Sequence, residues 1–204
     1  MWRSIHILTA SFLLFTGPLL AQRPSYGLKG GPHMSSFHAA NLRTTLIPGI
    51  SIGGYAPVSL SPRFDLQPEL LLSTLGTGVL GTDGERSELR TANVQLPIMA
   101  KYFLTRRLNI QAGPQIGYLF LATEFNNGNI NTISDRFKPL DIGTCIGIAI
   151  DGRRGTDLTF RYYSGIVPIM KDDEKIFPRN RSFQLSIGKR FVQSKRASGG
   201  RRRK

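Results

Sequence analysis

Leu108-Asn109-Ile110-Gln111-Ala112-Gly113-Pro114-Gln115-Ile116-Gly117-Tyr118-Leu119-Phe120 separates into two sets when read at every second residue. Leu108, Ile110, Ala112, Pro114, Ile116, Tyr118 and Phe120 form one set. Asn109, Gln111, Gly113, Gln115, Gly117 and Leu119 form the other. A helix would mix these sets around its circumference. A strand sends successive side chains to opposite faces, so it keeps them apart. The stretch therefore predicts a long β-strand with one apolar and one polar face.

The same separation recurs on both sides of it. Phe64, Leu66, Pro68, Leu70 and Leu72 alternate with Asp65, Gln67 and Glu69. Val94, Leu96, Ile98, Ala100 and Tyr102 alternate with Asn93, Gln95, Pro97 and Lys101. Leu140 to Ile150 alternates with Asp141, Gly143, Cys145, Gly147 and Asp151. Leu158, Phe160 and Tyr162 alternate with Asp157, Thr159 and Arg161. Phe183, Leu185, Ile187 and Phe191 alternate with Gln184, Ser186, Gly188 and Arg190, with Lys189 interrupting the apolar face. Weaker versions run over Tyr26–Met34 and Leu46–Val58. The count is eight, at spacings suited to hairpins. Connections alternate in length. Short turns are expected near Ser59–Arg63, Thr105–Arg107 and Gly152–Gly155, and longer loops near Ser35–Thr45, Thr74–Arg90, Ala122–Phe137 and Gly165–Arg181. Short turns on one rim and long loops on the other are the habit of barrels that cross a membrane.

The chain has 204 residues, 27 basic and 13 acidic, and a net charge of +14. Arg3 precedes a mostly apolar run from Ile5 to Leu20, and Ala21 offers a small residue for cleavage before Gln22. This is the pattern of a secretory signal. The expected organisation is a signal peptide over 1–21, a barrel over 22–191, and a basic, disordered tail over 192–204. Six of the basic residues lie in the last ten positions: Lys195, Arg196, Arg201, Arg202, Arg203 and Lys204. Much of the excess charge is thus a tail, and an export signal argues against nucleic acid as the partner. After the leader no apolar run approaches a membrane-spanning helix. The single cysteine, Cys145, permits neither an intramolecular disulfide nor a cysteine-based metal centre.

Alternation alone does not say which face is outside. A soluble barrel would turn the apolar set inward. Here the polar set is rich in glycine and medium-length polar residues and poor in the Lys and Glu that coat soluble surfaces. Aromatic residues also cluster toward strand ends on the apolar face: Tyr26, Phe64, Tyr102, Tyr118, Phe120, Tyr162 and Phe191. Both features favour lipid outside and polar groups inside. The expected fold is an all-β, eight-stranded antiparallel up-and-down transmembrane β-barrel. Side chains fill a barrel this narrow, so no wide pore is expected.

Glu69, Lys101, Asp141 and Arg161 fall on the expected inner face. Charges in a narrow lumen need partners, because desolvation is costly. They are read as a structural polar network, with a gated ion path as the sharper reading. His33, Ser35, Ser36 and His38 supply the types needed for a nucleophile and its base. The expected function is a structural or interaction role that presents extracellular loops to a ligand or partner, and these four residues carry the alternative, a membrane-embedded lipid-modifying hydrolase or acyltransferase, although no G-x-S-x-G elbow accompanies them. Asp172-Asp173-Glu174 lacks the spacing of an EF-hand and reads as a solvated loop. Gly76-Thr77-Gly78 and Gly81 lack the Lys-Ser/Thr of a phosphate cradle. No catalytic residue, cofactor site or metal site is assigned.

The chain resembles the small outer-membrane β-barrel-domain proteins of Gram-negative bacteria, often labelled porin-family. The resemblance rests on Tyr26-Gly27-Leu28-Lys29-Gly30-Gly31, Leu66-Gln67-Pro68-Glu69-Leu70-Leu71, and Leu96-Pro97-Ile98-Met99-Ala100-Lys101-Tyr102. It continues through Ala112-Gly113-Pro114-Gln115-Ile116-Gly117-Tyr118, Phe160-Arg161-Tyr162-Tyr163-Ser164-Gly165 and Gln184-Leu185-Ser186-Ile187-Gly188. It implies a location in the outer membrane and no shared catalytic activity. The expected partners are outer-membrane lipid and the outer-membrane assembly machinery, with anionic lipid or cell-wall polymer for the tail and a monomeric barrel. Such barrels often end on an aromatic strand. Phe191 would be that terminal residue, but further sequence follows it.

Overall fold

The computed structural model describes residues 25–38, 44–80, 86–126, 129–171 and 178–191. The expected leader, the acidic run at Asp172–Glu174 and the basic tail lie outside these residues. Among the described residues eleven β-segments are present: β1 (Gly27–His38), β2 (Thr44–Thr45), β3 (Ile47–Tyr55), β4 (Val58–Ser61), β5 (Phe64–Leu80), β6 (Arg86–Phe103), β7 (Leu108–Asn126), β8 (Asn129–Thr132), β9 (Leu140–Asp151), β10 (Thr156–Gly165) and β11 (Arg179–Arg190). Three of these are short extensions. β2 and β4 flank β3 and pair with β5, and β8 folds back on β7.

The other eight close into a ring. Each pairs antiparallel with its neighbour in the order β1, β3, β5, β6, β7, β9, β10, β11, and β11 returns to β1. Gly27 stands opposite Arg190 and His38 opposite Arg179 along that closing pair. Closure removes the edges an open sheet would leave unpaired in lipid.

The faces fall as the alternation predicts. Ile50, Ile52, Leu70, Leu72, Ile146, Ile148, Ile150 and Ile187 point outward and are exposed. Gln67, Gln95, Lys101, Asn109, Gln115 and Arg161 point inward and are buried. A wall of exposed aliphatic side chains around a polar interior is untenable in water and natural in a bilayer. That distribution decides between the membrane barrel and the soluble one. Lys189 also points outward, but its ammonium reaches the short-turn rim and donates to the Arg154 carbonyl at 3.0 Å. The charge thus leaves the apolar band while its stem stays in it.

The structure departs from the sequence expectation at the long-loop rim. β5, β6 and β7 run for 17, 18 and 19 residues, where roughly nine to eleven suffice to cross a bilayer. Much of the expected loops Thr74–Arg90 and Ala122–Phe137 is therefore paired strand rising beyond the membrane. The ladder shifts register between Ala92 and Asn93 of β6, where Phe120 of β7 is the extra residue. Phe120 and Leu121 both face outward as a result, and Ala122 turns inward. A bulge inverts the alternation beyond it, so the sequence pattern fades there although the strand continues.

Candidate functional site

Glu69 is the hub of the interior. Arg161 donates to both its oxygens, from Nη1 to Oε2 at 2.8 Å and from Nη2 to Oε1 at 2.6 Å. Lys29 Nζ donates to Oε1 at 3.1 Å and Gln67 Nε2 at 2.6 Å. Arg161 also donates to Gln111 Oε1, from Nε at 3.2 Å and from Nη2 at 2.7 Å. Such a two-pronged guanidinium–carboxylate pair fixes direction as well as charge. β5 and β10 stand opposite each other in the ring of eight, so this pair crosses the full bore.

The web continues toward the short-turn rim. Lys101 Nζ donates to Gln67 Oε1 at 2.9 Å and lies 3.6 Å from Asp151 Oδ1. Asn109 and Arg190 donate to the two oxygens of Asp151, at 3.0 and 2.8 Å. Tyr55 donates its hydroxyl to Asp157, which also accepts from Thr159 at 3.3 Å. The Lys29 ammonium sits 5.3 Å from the centre of the Tyr55 ring. In this half Lys29, Lys101, Arg161 and Arg190 face Asp65, Glu69, Asp151 and Asp157, so the inward charges balance.

Of the four residues expected to share a polar network, Glu69, Lys101 and Arg161 are brought together, and Asp141 is not. Asp141 lies near the opposite end of β9, where Asn180 Nδ2 donates to its Oδ2 at 2.7 Å. Lys29, Gln67, Gln111, Asp151 and Asp157 are further members of the web. All five occupy the inner parity of their strands, and that parity is the signal that could have gathered them.

Two tyrosines use glycines as beds. A Cβ on Gly143 would lie 2.6 Å from the ring of Tyr163, and one on Gly27 would lie 2.6 Å from the ring of Tyr55. Tyr55 passes over β1 and β11 to reach Asp157 on β10, and Tyr163 lies against β9, the strand that carries both Gly143 and Asp141. Sequence reading did not single out either tyrosine.

His33 and Ser35 both point inward and are buried. His33 Nε2 lies 2.7 Å from the Thr74 carbonyl. The Ser35 hydroxyl donates to the Gly76 carbonyl at 3.0 Å and accepts from the Gly76 amide at 2.9 Å. Both residues stitch β1 to the β5 backbone, and no hydrogen bond joins them to each other among the described residues. Ser36 and His38 turn outward. Cys145 donates to Gln115 Oε1 at 3.2 Å beside Met99 and Tyr163. No group of three or more His, Cys, Asp or Glu able to hold a metal occurs among the described residues.

An apolar cap covers the interior at the long-loop rim. Phe37, Leu119, Ala122, Ile133, Phe137 and Ile169 form one buried cluster, with Leu89 and Met170 packed against it. Phe37 and Phe137 meet edge to face at 6.0 Å. The Lys138 amide donates to the Ile169 carbonyl, the Lys171 amide to Arg136, and the Ile169 amide to Pro178. The first two bonds knit the connection before β9 to the connection before β11, and the third closes the latter on itself. No alternation runs through these two connections, so their residues read as long loops and nothing in the pattern marks them as a packed cap.

The sequence model of a family described as "Outer membrane protein beta-barrel domain" matches residues 20–171. No curated protein matches the sequence. Among solved structures, Neisserial surface protein A superposes with a TM-score of 0.56 at 10% identity, covering 83% of this chain and 100% of its own. Ail, the attachment invasion locus protein of Yersinia pestis, gives 0.48 at 11% identity, covering 83% of this chain and 99% of its own. OprG from Pseudomonas aeruginosa gives 0.46 at 9% identity, covering 84% and 98%.

Proposed function

This chain belongs to the outer membrane protein beta-barrel domain family and lies in the cell outer membrane, and from that premise we propose that it is a closed barrel with a structural and interaction role. It anchors itself in outer-membrane lipid and presents its long-loop rim to a ligand or partner, with no wide pore. The Arg161–Glu69 pair carries this reading, because it ties opposite strands through the middle of the bore. The cap over the far end supports it, as do β5, β6 and β7, which carry paired structure well beyond the bilayer.

Planar-bilayer recording of the purified, refolded barrel tests the proposal. The expected result is little or no steady conductance. Large, stable, ohmic channels from the monomer would overturn it. An ion path would instead need the Arg161–Glu69 bond to open, so Glu69→Gln should raise conductance if such a path is present.

The enzymatic alternative finds less support. A nucleophile and its base must share a hydrogen bond or a reacting atom, whereas His33 and Ser35 are each engaged with the β5 backbone. Lipid modification assayed in membranes should be the same with wild type and with His33→Ala. The assembly machinery remains the proposed partner in biogenesis, and the proposed state is a monomer.

A further inference from the structure

A hollow of about 650 Å³ opens on the lipid-facing wall. Ala100 and Ala112, an outward pair across β6 and β7, make its floor. Larger outward side chains stand around them. Tyr102 pairs with Ile110 on the short-turn side, and Ile146 pairs with Tyr162 alongside on β9 and β10. A second hollow, of about 370 Å³, lies at the short-turn rim among Pro62, Arg63, Phe103, Leu104, Thr105 and Arg106. The two adjoin. Phe64 and Tyr102 stand opposite each other and line the first. Arg63 and Phe103, their chain neighbours, line the second, and the Phe103 amide donates to the Arg63 carbonyl at 2.9 Å.

The groove is apolar and the rim beneath it is cationic. Three turns there carry exposed arginines: Arg63, Arg106, Arg107, Arg153 and Arg154. None of these forms an ion pair among the described residues. The turns themselves, 62–63, 104–107 and 152–155, contain no Asp or Glu. The carboxylates at this end, Asp65, Asp151 and Asp157, are buried on the inner face. The turns lie side by side, since the Asp151 amide donates to the Arg107 carbonyl at 2.9 Å. A planar guanidinium suits the oxygens of a phosphate. A hollow in an apolar wall forfeits dispersion contacts until something fills it, and in a bilayer an acyl chain does so. Short turns mark the periplasmic rim of outer-membrane barrels. A soluble phosphate would leave the groove unfilled, and a zwitterionic lipid would bring its own cation toward the arginines.

We propose that the two hollows together bind one acidic phospholipid of the periplasmic leaflet, with an acyl chain in the groove and the phosphate on Arg63 and Arg106. The pair of rings between the hollows, Phe64 and Tyr102, then lies at the glycerol level, where aromatic side chains favour a bilayer interface. Arg107, Arg153 and Arg154 add positive potential from the adjoining turns without touching the lipid. The site lies at the rim opposite the one offered to a partner, so neither reading depends on the other.

Native mass spectrometry of the full chain, refolded in detergent and titrated with phosphatidylglycerol or phosphatidylcholine of identical chains, tests this. Wild type should retain one phosphatidylglycerol in preference to phosphatidylcholine. Arg63→Gln with Arg106→Gln should cut the affinity for phosphatidylglycerol about 30-fold at low salt, about fivefold for each charge lost, and less as salt rises. Arg136→Gln with Arg179→Gln removes the same charge at the other rim and should leave the preference intact. Ala112→Phe fills the groove from its floor and should weaken both lipids. Heat-modifiable gel mobility checks that each variant is folded. Equal affinity of wild type for the two lipids would overturn the proposal. So would a preference that survives Arg63→Gln with Arg106→Gln, which would move the contact to the basic segment past Phe191. An Ala112→Phe barrel that binds phosphatidylglycerol as wild type does would overturn it too, in favour of diffuse charge attraction without a groove.

Discussion

Arg161 and Glu69 lie 92 residues apart in sequence and meet across the barrel's diameter through two charge-assisted hydrogen bonds of 2.6 and 2.8 Å. Both side chains are almost completely buried. Glu69 also receives Lys29 and Gln67, so it is one carboxylate neutralising two cations. Removing it strands both.

Glu69→Gln is therefore expected to destabilise the barrel by about 3–5 kcal/mol, the range for breaking a buried ion pair from one side. Urea unfolding in lipid vesicles measures it. Arg161→Met added to Glu69→Gln should restore part of the loss, since the stranded guanidinium is then gone. Strict additivity of the two changes would contradict the geometry.

Ile146 and Gly147 are neighbours in β9 that face opposite ways. Ile146 is 59% exposed near mid-strand, on the lipid side. Ile146→Arg should cost about 2–4 kcal/mol in bilayer refolding if the residue lies near the midplane. Gly147 faces inward, where a Cβ would lie 2.8 Å from Arg161 Cγ. Gly147→Arg should fail by crowding the network, so it should be equally harmful in micelles and bilayers, whereas the Ile146 variant should depend on the depth of the apolar phase.

Gly143 carries the ring of Tyr163. A methyl group there would strike both that ring and the Ser164 carbonyl. Gly143→Ala should lose about 1–3 kcal/mol, as overpacking does. A double-mutant cycle with Tyr163→Ala should show coupling, because the second change removes one of the two collisions. The remaining backbone contact keeps the rescue partial.

The basic segment past Phe191 yields a separate expectation. Deleting Ala197–Lys204 should leave the heat-modifiable gel mobility of the barrel intact. Each of its basic charges contributes about 1 kcal/mol near an anionic surface, weakened by salt. If the segment has such a partner, the deletion should lower salt-sensitive retention on anionic vesicles or isolated cell wall. Loss of folding would show instead that the segment belongs to the barrel or to its assembly signal.

Much of the fold was legible because one physical rule governs a strand crossing lipid. Every second residue must be apolar, and Ile146, Ile148 and Ile150 against Cys145, Gly147 and Asp151 obey it without interruption. The rule ends where lipid ends. Beyond Phe120 the bulge inverts the parity, both faces meet water or protein, and β7 runs on to Asn126 with no alternation to declare it. Parity also placed Glu69, Lys101, Asp141 and Arg161 inside without saying which would touch. Depth along the axis decides that, and depth follows from strand tilt and register. Asp141 shares a face with Arg161 but lies near the other end of the bore. Of the cap residues, Phe37 continues the inner parity of His33 and Ser35 at the end of β1, whereas Phe137 and Ile169 come from two connections that show no alternation at all.

Tyr55 stands on β3 and its hydroxyl bonds to Asp157 on β10. Between them lie β1 and β11, the first and last strands of the ring, which are also the pair whose meeting turns a sheet into a cylinder. A bond that straddles this seam cannot form while the sheet is open, and it cannot be reached by any partial assembly from either end of the chain. Tyr55 therefore acts as a clasp thrown over the join. It adds nothing to the growing sheet, and it is available to resist reopening only after the two ends have found each other. Its contribution belongs to the lifetime of the finished cylinder more than to the speed of its making.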